Sequence, residues 1–289
     1  MEHGGKVERI SRILPESLRT TLGYYYKRYM FHRYLREVFS DRYEPRNQGP
    51  MVPSELITTE ALMYEEDLNI RARPEWYLGS GYREAWTVLT MLEQCSFDLR
   101  SMRSVLEFGC GSARVLRHFR NIAGLQLVGT DANPKAIGWD RKSLPGIGFY
   151  QNELTPPLPF DNETFDLIYA LSVFTHIPLE WQCSWLHELR RVLVPGGYLL
   201  CTVHGDTYLK SQLNHEDRDR LERAGALTLD STHPRASYSS QVLGSWDVFQ
   251  TRDQVTAVFG EGFKILRYTT EPAAAGQDTL VLLKASRGD

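Results

Sequence analysis

Cysteine is scarce. Four occur in 289 residues (Cys95, Cys110, Cys183 and Cys201), and no two form a C-x-x-C pair. That spacing excludes a disulfide framework and a cysteine-built zinc or redox centre, and it reads as reduced core thiols. His-x-x-x-His pairs and clustered Cys/His are also missing, so no metal site is expected. No stretch reaches the ~18 unbroken apolar residues that a membrane span needs. The N-terminus shows no apolar core and no cleavage site of a secretory signal, so the expected location is cytoplasmic. A strong charge of either sign is absent, since 33 Lys/Arg stand against 36 Asp/Glu. A net −3 gives no footprint for a nucleic-acid partner, and none is expected. No internal repeat or low-complexity segment stands out.

What is present fits a large α/β domain with an appendage. Apolar residues make up 42% and charged residues 24%, which is ordinary for a globular chain of this length. Charge is unevenly placed: residues 1–46 hold ten Lys/Arg against six Asp/Glu, and the remaining 23 and 30 leave a surplus of acid. From Pro15 to about Ser40 the pattern is helical. Leu18, Leu22, Tyr25, Tyr26, Tyr29, Met30, Tyr34 and Phe39 can share one broad face, and Arg19, Lys27, Arg28, Arg33 and Arg36 add positive charge. Such a helix can lie on an anionic membrane. It can equally pack on the main domain or a partner subunit, and packing is the preferred reading.

Residues 41–57 read as a linker, and 54–72 as a second helix. The segment Arg73–Tyr82 is turn-rich and aromatic, ahead of a helix at Tyr82–Gln94. Residues 1–70 are therefore read as an N-terminal helical extension and 71–289 as the main domain. Within that domain strands are expected at 104–108, 125–130, 148–151, 165–171 and 198–204. Helices are expected between them at 112–121, 134–142 and 179–193. This alternation argues a parallel sheet with helices on both faces. Residues 205–250 are polar and irregular apart from a charged helix at 216–226, and form an insertion expected to cap the acceptor side. A helix at 252–259 and strands at 264–268 and 278–284 end the chain.

One stretch organises this domain: Val105-Leu106-Glu107-Phe108-Gly109-Cys110-Gly111-Ser112-Ala113-Arg114. An apolar strand runs into a glycine-rich turn and then a helical pattern, the entry to a nucleotide-binding sheet. A dinucleotide fingerprint G-x-G-x-x-G would need a third glycine where Arg114 stands. The pattern acidic-x-Gly-x-Gly-x-small fits instead, with Glu107, Gly109, Gly111 and Ala113. An acid beside the turn repels a diphosphate and favours a cationic ligand. Asp131 ends the second strand, where a carboxylate can accept both hydroxyls of a ribose. Its other reading is a helix cap before Asn133-Pro134.

These residues resemble the first motif of the class I S-adenosylmethionine-dependent methyltransferases. The resemblance covers residues 77–204, and the last two strands loosely. It implies an α/β fold with a seven-stranded, mostly parallel Rossmann-like sheet, helices on both faces, and S-adenosyl-L-methionine as cofactor. It further implies donor-binding roles for Glu107, Gly109, Cys110 and Gly111 in the turn and for Asp131 on the ribose. Asn152 falls near the adenine, with Glu153 and Leu154 as alternatives. Leu171 sits at the carboxyl edge of the sheet, and Tyr77 and Gly79 belong to a segment closing over the donor. Asp166, in the entry to the fourth strand, is expected to be structural.

The acceptor must be aligned with the methyl group and its proton removed. His176, after the fourth strand, and His204, ending the fifth, are the candidate catalytic bases. The alternatives are a helix cap before Pro178 for His176 and a turn role for His204, with Asp206 as its orienting partner. His233, Tyr238 and Trp246 are candidates for the acceptor pocket. The expected activity is methyl transfer to a small-molecule or sugar-like acceptor, at oxygen. Two other readings remain open: a nicotinamide-dependent oxidoreductase, and a non-catalytic scaffold contacting a membrane or partner through residues 15–40. Oligomeric state is not legible.

Overall fold

Strand β1 (Ser104–Phe108) is buried along its whole length, Ser104 and Glu107 included, because it lies in the middle of a two-faced sheet. The computed structural model describes residues 16–53, 74–206, 213–230, 232–233, 246–274 and 277–286. The expected helix over 54–72 and Tyr238 lie outside the described residues. The further strands are β2 (Gln126–Asp131), β3 (Gly148–Gln151), β4 (Phe165–Ala170), β5 (Leu193–Val203), β6 (Ala226–Leu229), β7 (Asp247–Gln250), β8 (Lys264–Ala274) and β9 (Gln277–Leu283). Seven of them form one sheet in the order β3-β2-β1-β4-β5-β9-β8. β1 to β5 are mutually parallel, and β9 runs antiparallel to both β5 and β8. The strand order reverses between β1 and β4, so a crevice opens beyond their carboxyl ends.

Alternation along the strands feeds two cores. Val105, Leu167, Tyr169 and Leu200 point to one face, and Leu106, Phe108, Ile168 and Leu199 to the other. Helices α1 (Glu16–Val38), α2 (Pro74–Gln94) and α3 (Pro134–Ser143), with a short 3-10 helix at Leu116–Asn121, cover the first face. Helices α4 (Leu179–Val192) and α6 (Arg252–Gly260) cover the second. Helix α5 (His215–Ala224) packs with β6 around Leu213, Leu221, Leu227, Leu229 and Phe249.

Four expectations are corrected. The segment expected to be turn-rich ahead of a helix at Tyr82 is itself helical: α2 is continuous from Pro74. Its glycines serve packing, because a Cβ on Gly81 would meet the Arg114 carbonyl at 2.2 Å and one on Gly79 would meet Tyr24 at 3.3 Å. The helix expected at 112–121 shrinks to a 3-10 turn from Leu116, since Gly111 and Ala113 both take positive φ. The buried face of α1 is Phe31, Leu35 and Phe39, whereas Tyr25, Tyr26 and Tyr29 are exposed. Residues 205–250 also contain order: β6 and β7 pair antiparallel as a separate two-stranded sheet.

Candidate active site

The glycine turn is built on its neighbour strand. The amides of Gly109 and Cys110 both donate to the Thr130 carbonyl of β2, at 2.8 and 2.9 Å. Gly109 takes φ 75° and Gly111 φ 53°, the left-handed region that glycine enters without penalty. Space matters as well: a Cβ on Gly109 would lie 2.3 Å from Val173, in the loop after β4. Cys110 is buried, its sulfur packed towards Gly129. Ala113, at the last small position of the motif, also carries a positive φ of 51° and is fully buried.

Asp131 sits where β2 ends. Its Oδ2 accepts the Gly111 amide at 2.7 Å and its Oδ1 accepts the Asn133 amide at 2.8 Å. The cap of α3 is Asn133, whose side chain accepts from Lys135 and Ala136, so Asp131 is not needed as a cap. Burial raises the Asp131 carboxyl above its ordinary range, and the two amides oppose that. Each oxygen retains a lone pair, the requirement for a carboxylate that accepts a diol. Asn152 follows β3 with its amide donated to the Asp131 carbonyl at 3.1 Å. Its side-chain nitrogen bonds the Glu153 carbonyl, and its Oδ1 is buried with no protein partner. An orphaned buried acceptor beside the Asp131 carboxylate can take a hydrogen bond from a ligand's amino group.

Glu107 occupies a different layer. It is buried beneath the turn, and its Oε2 accepts the Leu116 amide at 3.0 Å. Burial pushes its carboxyl up to about 8, against the attraction of Arg114. Glu107 thus braces the start of the 3-10 helix from below.

The N-terminal part of α2 locks onto the turn from the side. The hydroxyls of Tyr77 and Ser112 are 2.7 Å apart. Arg114 donates to Ser80 Oγ at 2.9 Å and its guanidinium lies 5.6 Å from the Tyr77 ring centroid. Arg114, at the position where a dinucleotide turn has glycine, is here a clamp. Ser80 and Ser112 carry no signal in the sequence, and Arg114 shows there only as the missing third glycine; the partner of Ser112 lies 35 residues away. Gly79 faces Tyr24 of α1, and Leu171 lies half-buried at the sheet edge. Asp166 holds β4 to β1 through the Arg103 and Ser104 amides, as expected of a structural residue.

The two histidines come together, with ring centroids 6.2 Å apart. His176 Nδ1 is 2.8 Å from the Trp246 carbonyl and 3.5 Å from Asp247 Oδ1. A carbonyl only accepts, so Nδ1 carries the proton and Nε2 is left as the basic nitrogen. The following helix has Pro178 at its N-cap without a side-chain bond, so His176 does not cap it. His204 is buried and stacks on Phe249 with centroids 5.0 Å apart. Burial, and then His176, hold it well below the usual imidazole range, so it is neutral at pH 7. Strand β7 spans both loops: Val248 donates to the Thr175 carbonyl at 2.8 Å and Gln250 to the His204 carbonyl at 3.0 Å. Asp247 had no sequence signal, because its relation to His176 exists only once β7 crosses the sheet edge. Trp246 brings its carbonyl to His176 and its ring to Trp181, while His233 lies near Asp217, 3.8 Å away. Among the described residues no group of three or more His, Cys, Asp or Glu could hold a metal ion, and no helix is long and apolar enough to cross a membrane.

Residues 106–201 match the family model of a methyltransferase domain. Over 107 residues the chain is 34% identical to a probable phthiotriol/phenolphthiotriol dimycocerosates methyltransferase 2 of Mycobacterium ulcerans, covering 35% of this chain and 39% of that protein. Over 150 residues it is 27% identical to a sterol 24-C-methyltransferase of Yarrowia lipolytica, covering 49% and 39%. The chain thus spans about two-fifths of the length of these curated relatives. A solved S-adenosylmethionine-dependent methyltransferase of Mesorhizobium loti superposes with a TM-score of 0.49 at 14% identity, over 68% of this chain and 98% of that one. Residues 106–201 form a methyltransferase domain of the class I S-adenosylmethionine-dependent family.

Proposed function

We propose that the chain transfers a methyl group from S-adenosylmethionine to a hydroxyl of a small-molecule acceptor. The observation that carries the donor assignment is the Asp131 carboxylate, braced by the Gly111 and Asn133 amides at the end of β2. It faces a turn whose two glycines adopt positive φ, followed along the sheet edge by the orphaned Asn152 oxygen. These residues fit the donor: Asp131 for the ribose, Asn152 for the adenine, and the Gly109–Gly111 backbone for the amino-acid end. S-adenosylmethionine, when bound, supplies a methyl group already activated by a sulfonium centre.

The protein's own work is positioning, exclusion of water and proton removal. His176 Nε2 takes the acceptor's hydroxyl proton, because Nδ1 is fixed as a donor to Trp246. The resulting imidazolium has the buried Asp247 carboxylate 3.5 Å away to stabilise it. His204, neutral and buried, stands edge-on to it with ring centroids 6.2 Å apart. Strand β7 makes the insertion the wall of the acceptor side. Relatives named for dimycocerosates and sterols favour an amphiphilic acceptor.

Isothermal titration of the full chain tests the donor assignment. S-adenosylmethionine should bind and NADH should not, and Asp131→Ala should abolish the donor's heat signal. Binding of NADH alone, or a mutant that binds like wild type, would overturn the reading.

A further inference from the structure

Helix α1 has a second face that the donor site does not use. Its inner face, Phe31, Leu35 and Phe39, is fully buried on α2 and the sheet. Its outer face carries Tyr25, Tyr26 and Tyr29, which are 57%, 41% and 61% exposed. Half of the exposed large hydrophobic side chains among the described residues are therefore these three, within five positions of one helix. Helical spacing of i, i+3 and i+4 makes them neighbours, with Arg33 and Arg36 on the same side. Between Tyr24 and Val38 the helix bears Lys27, Arg28, Arg33 and Arg36 against the single acid Glu37. Glu37 is itself paired with Arg33 at 3.0 Å.

We propose that this face docks on an anionic lipid bilayer surface. Tyrosine suits the place, since its ring enters the acyl boundary and its hydroxyl stays among headgroups. The arginines match a negatively charged leaflet, each adding attraction near the surface. A second copy of the chain fits less well. A two-fold contact through this face would set the cations of two copies against each other, with no surplus acid to offset them. The position also links the surface to the chemistry. Tyr24, whose ring lies 5.3 Å from that of Tyr25, packs against Gly79, and two residues away Tyr77 bonds the donor turn. A bilayer held on this face therefore lies beside α2, whose Tyr77 bonds Ser112 in the glycine turn. The inference does not rest on the methyltransferase assignment.

Co-sedimentation of the full chain with vesicles of phosphatidylcholine, with and without phosphatidylglycerol, tests it. Wild type should pellet with the anionic vesicles and not the neutral ones, and should be released as salt rises from ~0.1 to ~1 M. The triple change Arg28→Gln, Arg33→Gln, Arg36→Gln should weaken partitioning by about tenfold or more. The triple change Tyr25→Ser, Tyr26→Ser, Tyr29→Ser should do likewise while leaving donor binding and circular dichroism unchanged, because these side chains are exposed. Equal pelleting with both vesicle types, or a tyrosine variant that partitions like wild type, would overturn the proposal. So would sedimentation equilibrium showing a dimer that dissociates in the tyrosine variant while vesicles are ignored.

Discussion

Asp131 and Gly111 are joined by a hydrogen bond of 2.7 Å from the glycine amide to the carboxylate. The carboxylate proposed for the ribose thus also fixes the shape of the glycine turn. One substitution should damage both. Asp131→Ala should weaken S-adenosylmethionine binding by about 10²-fold, the loss of two charge-assisted hydrogen bonds and a pre-formed turn. Calorimetry at constant salt reads this directly, and a loss under about threefold would remove Asp131 from the site.

The Tyr77–Ser112 pair gives a second prediction. Tyr77→Phe and Ser112→Ala each remove one buried hydroxyl from a 2.7 Å contact. Each should cost about 1 kcal/mol of stability, and the double variant should cost less than the sum. Urea unfolding of the four proteins forms the cycle. Strict additivity would show that the two hydroxyls are not coupled.

Ala113 tests the backbone of the motif. Its φ of 51° is strained for any residue but glycine, and its side chain is fully buried. Ala113→Gly should change stability by less than ~1 kcal/mol, because relief of strain offsets the added chain entropy. Ala113→Val should cost about 2–3 kcal/mol or more, as a branched side chain meets both a positive φ and a filled core. Thermal melts of the two variants separate these outcomes.

Stability should fall with rising pH. Burial lifts Glu107 to about 8 in the folded chain, and Asp140 likewise to about 8. Their unfolded values lie near the ordinary carboxylate range of roughly 4. Between those limits the folded state binds more protons than the unfolded one, so each step up in pH favours unfolding. The stabilisation is complete below about pH 4 and is lost as pH passes 8. Glu107→Gln keeps the acceptor for Leu116 and removes the titration. Its stability should vary less than that of wild type between pH 5 and pH 8, by about 3–4 kcal/mol.

The proposed base, His176, and its neighbour Asp247 should differ in what their loss does. His176→Ala should lower kcat by about 10²–10⁴-fold with donor affinity unchanged. Asp247→Asn should lower it less and alter the pH profile, since the carboxylate acts only through the ring. Single-turnover transfer of labelled methyl groups checks both. An unaffected His176 variant would mean that the acceptor loses its proton elsewhere.

Much of the fold could be read from the chain. The runs at 104–108 and 148–151 are strands over those same residues, and Asp131 and Asn152 fall at strand ends as expected. Such positions are legible because apolar alternation and glycine spacing are local properties. The start of helix α2, from Pro74 to Gly81, was not, because its glycines look like turn residues until the Arg114 carbonyl and Tyr24 are seen packed against them. The outward face of α1 was misplaced for a related reason. Tyrosine is compatible with either side of a helix, and burial of Phe31 and Leu35 decides which side turns inward.

The donor site and the acceptor site therefore differ in origin. The sequence alone determined the strand–glycine turn–acid order on which the proposed donor site rests, since each part lies next to its neighbour along the chain or one strand away. Only the tertiary structure decided the acceptor side. There β7 returns from the insertion to set Trp246 and Asp247 on His176, some 70 residues earlier in the chain. No local pattern encodes that pairing, because it depends on where the sheet's carboxyl edge brings two distant loops together.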